Sequence, residues 1–229
     1  MATNNAINNT SNPITSTAVT IDPGASGDSY IQFDINATNE CRIGVDDTDD
    51  SFRISQSSAL GTSDSIIIDT DGHVSKPLQS AFLVYLASDD TISISSGGTG
   101  ANLVLGSNTA VTEAFDVGGD FATDTYTAPV DGIYFFTRGW HMSSINSLID
   151  NCIGNCSGRY SGAGFDIYAA RASTNGDTSV SAATLRELDV SDNVQAVNTI
   201  SSGTTGTVRS ATVTGSTTRI NYYGGFLIC

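Results

Sequence analysis

Apolar residues in the stretch 30–75 fall into short alternating sets: Ile31, Phe33 and Ile35; Ile43 and Val45; Phe52 and Ile54; Ile66 and Ile68. Apolar groups at every second position mark strands with one buried face. Turn-forming clusters at 36–39, 46–50, 61–64 and 69–72 separate the sets. Short strands at roughly ten-residue spacing predict an all-β unit. So short a segment buries too little apolar surface to be stable as one copy. The pattern therefore predicts a small β collar or shaft segment over 30–76, in which three copies share one core.

Longer apolar patterns occupy 77–229. They predict strands at 81–86, 110–117, 131–142, 164–170, 182–190, 193–197, 209–213 and 218–228. Eight strands and no helical periodicity suit an all-β, two-sheet jelly-roll sandwich. The glycine-rich runs 95–100 and 201–206 read as hairpin or crossover connections. Residues 1–29 are rich in Asn, Thr and Ser and contain Pro13 and Pro23. They read as an extended N-terminal arm that becomes ordered against a neighbouring chain.

Charge narrows the classes of partner. Formal net charge is −15, and Lys76 is the single lysine. Residues 1–76 carry 11 acidic and 3 basic side chains, and residues 77–229 carry 13 and 6. An acidic chain without a basic patch does not fit a nucleic-acid backbone or an anionic lipid surface. No apolar run approaches the ~18 residues of a membrane-spanning helix. The opening Met-Ala-Thr-Asn-Asn has no basic start and no apolar stretch. Synthesis in the host cytoplasm without a secretory signal is expected.

Two stretches of the C-terminal region resemble the C1q family. The first is Phe115-Asp116-Val117-Gly118-Gly119-Asp120-Phe121, followed by Thr125-Tyr126-Thr127-Ala128-Pro129-Val130-Asp131-Gly132-Ile133-Tyr134-Phe135-Phe136. It is similar to the family pattern in which a Phe-Asn/Asp start leads to F-x-A-P-V-x-G-x-Y-x-F. The second is Tyr223-Gly224-Gly225-Phe226-Leu227-Ile228, which resembles the closing F-S-G-F-L-L strand. Leu78-Gln79-Ser80-Ala81-Phe82 matches the first strand, and 183–188 and 192–196 resemble the strand, turn and G-D-x-V region between. The resemblance implies a homotrimeric C1q/TNF-like jelly-roll knob over 77–229. It also implies that Tyr134, Phe136, Tyr223 and Phe226 form the intersubunit core. The chain departs from the family in lacking a collagen-like stalk and in carrying a polar insertion at 143–161.

The N-terminal segments Phe33 to Asp46, Asp50 to Ser55, Leu60 to Asp64 and Thr70-Asp71-Gly72 resemble a segment that precedes C-terminal knobs in bacteriophage tail-fibre proteins. Cys41 stands where that segment usually has an aromatic. Together the two resemblances imply a non-enzymatic viral structural protein. It would be a virion-surface fibre attached through its arm to other virion proteins, with a knob that binds a host-surface glycan or protein. The alternative is a capsid decoration, cement or head-fibre protein. A glycan hydrolase is the remote third reading, because two carboxylates in a cleft leave no sequence mark.

The chemistry-bearing residues add little to these classes. The chain has no G-x-S-x-G, P-loop or H-E-x-x-H motif. His141 reads as a structural or surface histidine. Cys152 and Cys156 have a C-x3-C spacing that fits either a small loop disulfide or two free thiols; zinc, which takes four ligands, is not expected. No cofactor is implied. Asp46 to Asp50 offers carboxylates for calcium but lacks the EF-hand pattern, and a solvated turn is expected there. Within the polar insertion, Asp150, Asn151, Asn155, Arg159 and Tyr160 are the candidate receptor-binding residues. Arg and Tyr are favoured at recognition hot spots.

Overall fold

The computed structural model describes residues 20–24, 26–35, 39–88, 90–93, 101–104, 111–145, 148–153, 168–173, 176–200, 205–208 and 221–229. Residues 1–19 of the expected arm lie outside them. The chain divides into two compact units, Met1–Pro77 and Leu78–Cys229. Every regular element among the described residues is a strand.

The N-terminal unit is an antiparallel meander of β1 (Ser29–Ile35), β2 (Asn39–Val45), β3 (Phe52–Ser55), β4 (Asp64–Ile68) and β5 (Val74–Ser75), paired in sequence order. Its register sets Ile31 opposite Ile43, Ile43 opposite Ile54, and Ile54 opposite Ile66. A second row runs Val45, Phe52, Ile68, Val74. Residues paired across strands share a face, so both rows lie on the same side of the sheet. The opposite side carries Gly44, Arg53 and Ser55, all buried. The unit's own loop covers it: Leu60 is buried, and Ser55 Oγ lies 3.2 Å from the carbonyls of Ala59 and Ser63.

The C-terminal unit contains β6 (Ala81–Leu86), β7 (Asp90–Ser93), β8 (Ala101–Val104), β9 (Val111–Val117), β10 (Phe121–Ala122), β11 (Thr125–Thr127) and β12 (Gly132–Ile145). These are followed by β13 (Leu148–Ile153), β14 (Tyr168–Ser173), β15 (Gly176–Leu188), β16 (Asn193–Ile200), β17 (Thr205–Val208) and β18 (Tyr222–Leu227). One sheet runs β9, β6, β18, β12, β15, with the β17–β7 pair extending the edge of β12 beyond β18. The other runs β10, β11, β16, β13, β14, with β8 also on β16. Among the described strands the chain changes sheet between β7 and β8, β8 and β9, β9 and β10, β11 and β12, β12 and β13, β14 and β15, β15 and β16, and β16 and β17. The first and last strands, β6 and β18, lie side by side. This is a jelly-roll sandwich.

The sandwich interior is aromatic. Phe82, Phe121, Tyr126, Tyr134, Phe136 and Tyr223 are buried together with Val84, Leu86, Leu188 and Val194. Phe82 stacks on Tyr126 with ring centroids 4.7 Å apart and meets Tyr223 edge-on at 4.9 Å. Such pairs add roughly 0.5–1.5 kcal/mol each beyond area burial. Gly225 is required by the close passage of β18 across β12: a Cβ there would sit 2.5 Å from the Phe136 ring and 2.8 Å from the Phe135 carbonyl.

The segment 143–161 is not wholly a polar insertion, because β12 continues to Ile145 and Leu148–Ile153 forms β13. β13 pairs with β14 on one side and β16 on the other, so backbone bonds on both edges hold a strand whose centre is polar. The strands β7, β8 and β17 also escaped the pattern, and β17 begins inside the expected loop 201–206. The expected strand 209–213 lies outside the described residues.

Candidate functional site

The sheet β9–β6–β18–β12–β15 has two faces, and strand alternation decides which side chains each receives. Tyr134, Phe136, Arg138 and Trp140 of β12 point inward, and Ile133 and Phe135 point outward. On β18, Tyr223 is inward and Phe226 outward. The sequence-based expectation put Tyr134, Phe136, Tyr223 and Phe226 together at a subunit interface. The structure instead buries the first three in the interior of a single chain, where they have no surface to offer another. Only Phe226 faces out, at 46% exposure. The run Ile133 to Phe136 is apolar on both faces, which hides this parity from the sequence.

The outward face has its own apolar row. Val117 pairs with Ala81, Ala81 with Phe226, Phe226 with Phe135, and Phe135 with Leu185. The row crosses all five strands. Phe135 and Phe226 meet with centroids 5.4 Å apart. Leu185 is 61% exposed, and Phe115 and Ile133 beside the row are also exposed. Contiguous apolar surface of this kind marks an interaction site on a protein otherwise rich in acidic groups.

A polar relay fastens the strands that carry the row. The Tyr126 hydroxyl and Ser80 Oγ are 2.6 Å apart, and Ser80 Oγ donates to the Asp120 carboxylate at 2.5 Å. Asp116 accepts from the backbone N–H groups of Asp120 and Phe121, both at 3.1 Å. Burial pushes the Tyr126 phenol well above its ordinary value, against the opposing hydrogen bond with Ser80. Burial raises Tyr134 as well, and its hydroxyl donates to the Val130 carbonyl at 2.6 Å. Both phenols therefore stay neutral donors at physiological pH. The Gln79 side-chain amide donates to the Leu227 carbonyl and closes the edge between the first and last strands.

His141 is structural. Its backbone N–H donates to Asn221 Oδ1 at 2.6 Å, and its carbonyl accepts from Asn221 Nδ2 at 3.0 Å. Asn221 thus takes the place of a paired strand residue. The imidazole Nδ1 lies 2.7 Å from Ser179 Oγ. Arg138, fully buried, places its guanidinium carbon 5.0 Å from the Trp140 ring centroid. Of the proposed receptor-binding set, Asp150 and Asn151 are on β13 within the sheet rather than in a loop, paired with Arg171, Thr199 and Asn198. Cys152 is on the same strand. Asn155, Arg159, Tyr160 and Cys156 lie outside the described residues.

In the N-terminal unit the structure reveals a site that sequence reasoning missed. Arg53, 9% exposed, lies within 3.1 Å of Asp46, 2.6 Å of Asp49 and 2.5 Å of Asp64, and its Nε donates to Ser51 Oγ at 2.7 Å. Burial pulls its pKa down. The Asp64 hydrogen bond and the three carboxylate charges more than offset that, so it ends above the ordinary arginine value. Hydrogen bonds from the Ser51 hydroxyl and backbone hold Asp49 below the usual aspartate range. The turn 46–50 is thus not simply solvated, because Asp46 is buried. Carboxylate oxygens of Asp28, Asp46 and Asp47 cluster within 4.8 Å. They already accept from the backbone N–H groups of Asp47, Thr48 and Gly27. A lone arginine between apolar neighbours in a strand opposite an acidic turn was the available signal.

The fold defines a class: an all-β chain ending in a jelly-roll sandwich. Solved structures similar to it cover 66% of the chain each. Murine APRIL shares 10% identity at a TM-score of 0.42 over 99% of its own length. The globular domain of zebrafish complement 1qA shares 18% at 0.36 over 98%. Eiger TNF from S. frugiperda shares 9% at 0.45 over 94%. The jelly-roll description rests on the strand order given above. No protein-family model matches the chain, and no curated protein does.

Proposed function

We propose that this protein is a non-enzymatic, homotrimeric virion-surface fibre of the tail-fibre kind, whose jelly-roll unit binds a glycan or protein on the host surface. The observation that carries the reading is the outward row Val117, Ala81, Phe226, Phe135 and Leu185, an apolar stripe across five strands in which Phe226 and Leu185 stay exposed on one chain and the rest are half-buried. Copies meeting on this face remove it from solvent, each buried aliphatic or aromatic side chain contributing about 1.5–3 kcal/mol. The virion assignment draws on the tail-fibre resemblance of residues 33–72, and the attachment role on the polar arm 1–29.

Sedimentation of the full chain tests the assembly. The expected species is a trimer that Leu185→Lys converts to folded single chains, since Leu185 is already exposed in one copy. A wild-type monomer at micromolar concentration overturns the proposal. Binding of purified trimer to susceptible host cells tests recognition, and no binding to any such host refutes it. Removing residues 1–29 is expected to abolish attachment to particles while the trimer persists.

A further inference from the structure

Arg138 and Trp140 take no part in the outward apolar row. They stand two positions apart on β12, so both point into the sandwich. Arg138 is 0% exposed and Trp140 2%. The guanidinium carbon lies 5.0 Å from the centroid of the indole ring. An indole has one hydrogen-bonding group, Nε1–H, and it can only donate. Among the described residues the buried Trp140 Nε1 meets no acceptor. A donor so placed gives up its hydration without return, and buried polar groups in native proteins are nearly always matched.

The surroundings indicate which kind of acceptor fits. Inward positions on β6, β12, β15 and β18 bring two arginines, Arg138 and Arg186, and no carboxylate. A cation held out of water draws negative charge strongly, because the interior screens it little. The negative face of the Trp140 ring meets part of that demand. The edge of the same ring, which carries Nε1–H, is positive and adds to the guanidinium field. A neutral acceptor such as water would satisfy the N–H bond, but an anion also answers the charge. Burial of both residues limits the ligand to a small one. A divalent oxyanion is disfavoured further, since its desolvation cost rises with the square of its charge. The guanidinium is itself weakly hydrated and suits an anion that sheds water easily.

We propose that the interior of the jelly roll binds one monovalent halide, chloride being the common one, which accepts from Trp140 Nε1–H beside the Arg138 guanidinium. The ion is a structural ligand that joins the sandwich core at this end of β12. The site needs no second copy of the chain and is independent of the assembly and receptor binding proposed above.

Trp140 is the single tryptophan, so its fluorescence reads the site directly. Bromide, a heavy-atom quencher that stands in for chloride, is titrated into the full chain against gluconate at constant ionic strength. Quenching is expected to follow a saturating curve, which added chloride moves to higher bromide. By calorimetry the sandwich is expected to unfold about 2–4 °C higher in chloride than in gluconate. Trp140→Phe keeps an aromatic ring and removes only the donor edge, and it is expected to unfold at the same temperature in both salts. Quenching that rises linearly with bromide, as for chance collision, overturns the proposal and leaves water as the acceptor. Equal wild-type midpoints in the two salts overturn it as well. So does a chloride effect that Trp140→Phe retains, which places the ion elsewhere on the chain. If that variant does not fold, the wild-type titration decides alone.

Discussion

Arg53 shows how much one side chain can decide in a unit without an apolar interior of its own. Its guanidinium joins the turn 46–51 to the loop ending at Asp64, and Gly61 N–H donates to the same Asp64 carboxylate. Arg53→Met leaves Asp46 and Asp64 buried without a counter-charge, which should cost about 3–5 kcal/mol in denaturant unfolding of this unit. Two turn aspartates set an acid limit, Asp49 in this cluster and Asp69 in a separate turn where it accepts from the His73 backbone N–H at 2.9 Å. Asp49 and Asp69 have folded pKa values below the ordinary 3.8. Their contribution is therefore present above that value and is lost as pH falls through the lower folded values. Amide protection over 39–68, taken relative to the intrinsic exchange rate at each pH from about 6 to about 2, should fall below pH ~4. Trp140, the single tryptophan, is buried in the other unit and gives a separate fluorescence signal for the sandwich.

At the scale of elements, the strands were more legible than their faces. Alternation located β1 to β4, β6, β9 and β16, and denser apolar runs located β12, β15 and β18. It could not say which side of β12 turns inward, since Ile133, Tyr134, Phe135 and Phe136 supply both. The partner strands settle it: Phe82, Tyr126 and Tyr223 meet Phe136 from inside, whereas Phe226 and Leu185 flank Phe135 outside. In β3 the pattern inverts what hydrophobicity suggests, because Arg53 is buried and Phe52 exposed. Burying an arginine depends on acidic side chains brought from two other segments, and that pairing is invisible along the chain. Phe136→Ala therefore should cost about 3–5 kcal/mol of unfolding stability. Unlike Leu185→Lys, it should leave the association constant of the folded protein unchanged, as chemical denaturation and sedimentation of one sample would show.

For the molecule as a whole, two units solve the same burial problem in different ways. The jelly roll closes its two sheets on each other and keeps an aromatic interior, leaving one further apolar row outside. The meander has a single layer, and its own loop and ion cluster cover only the polar side. Composition foretold the all-β class and the acidic surface, because Thr, Val, Ile, Gly and Asn favour strands and turns over helices. A short strand such as β13, whose apolar ends flank the polar Asp150 and Asn151, stayed hidden, since backbone pairing on both edges sustains it without an alternating apolar repeat.

The adjacency of β6 and β18 has a practical consequence. Ala81 stands opposite Phe226, and the Leu227 N–H donates to the Ser80 carbonyl at 2.9 Å, so the sandwich begins and finishes within a few residues of one place. A short linker from Cys229 back to Leu78, with a new opening cut at a surface turn elsewhere, is a feasible circular permutation of this domain. A reporter fused behind Cys229 emerges next to the junction at Pro77 and not at the distal turns around Leu86 and Tyr222, so labels meant to leave that junction unhindered belong at the far end.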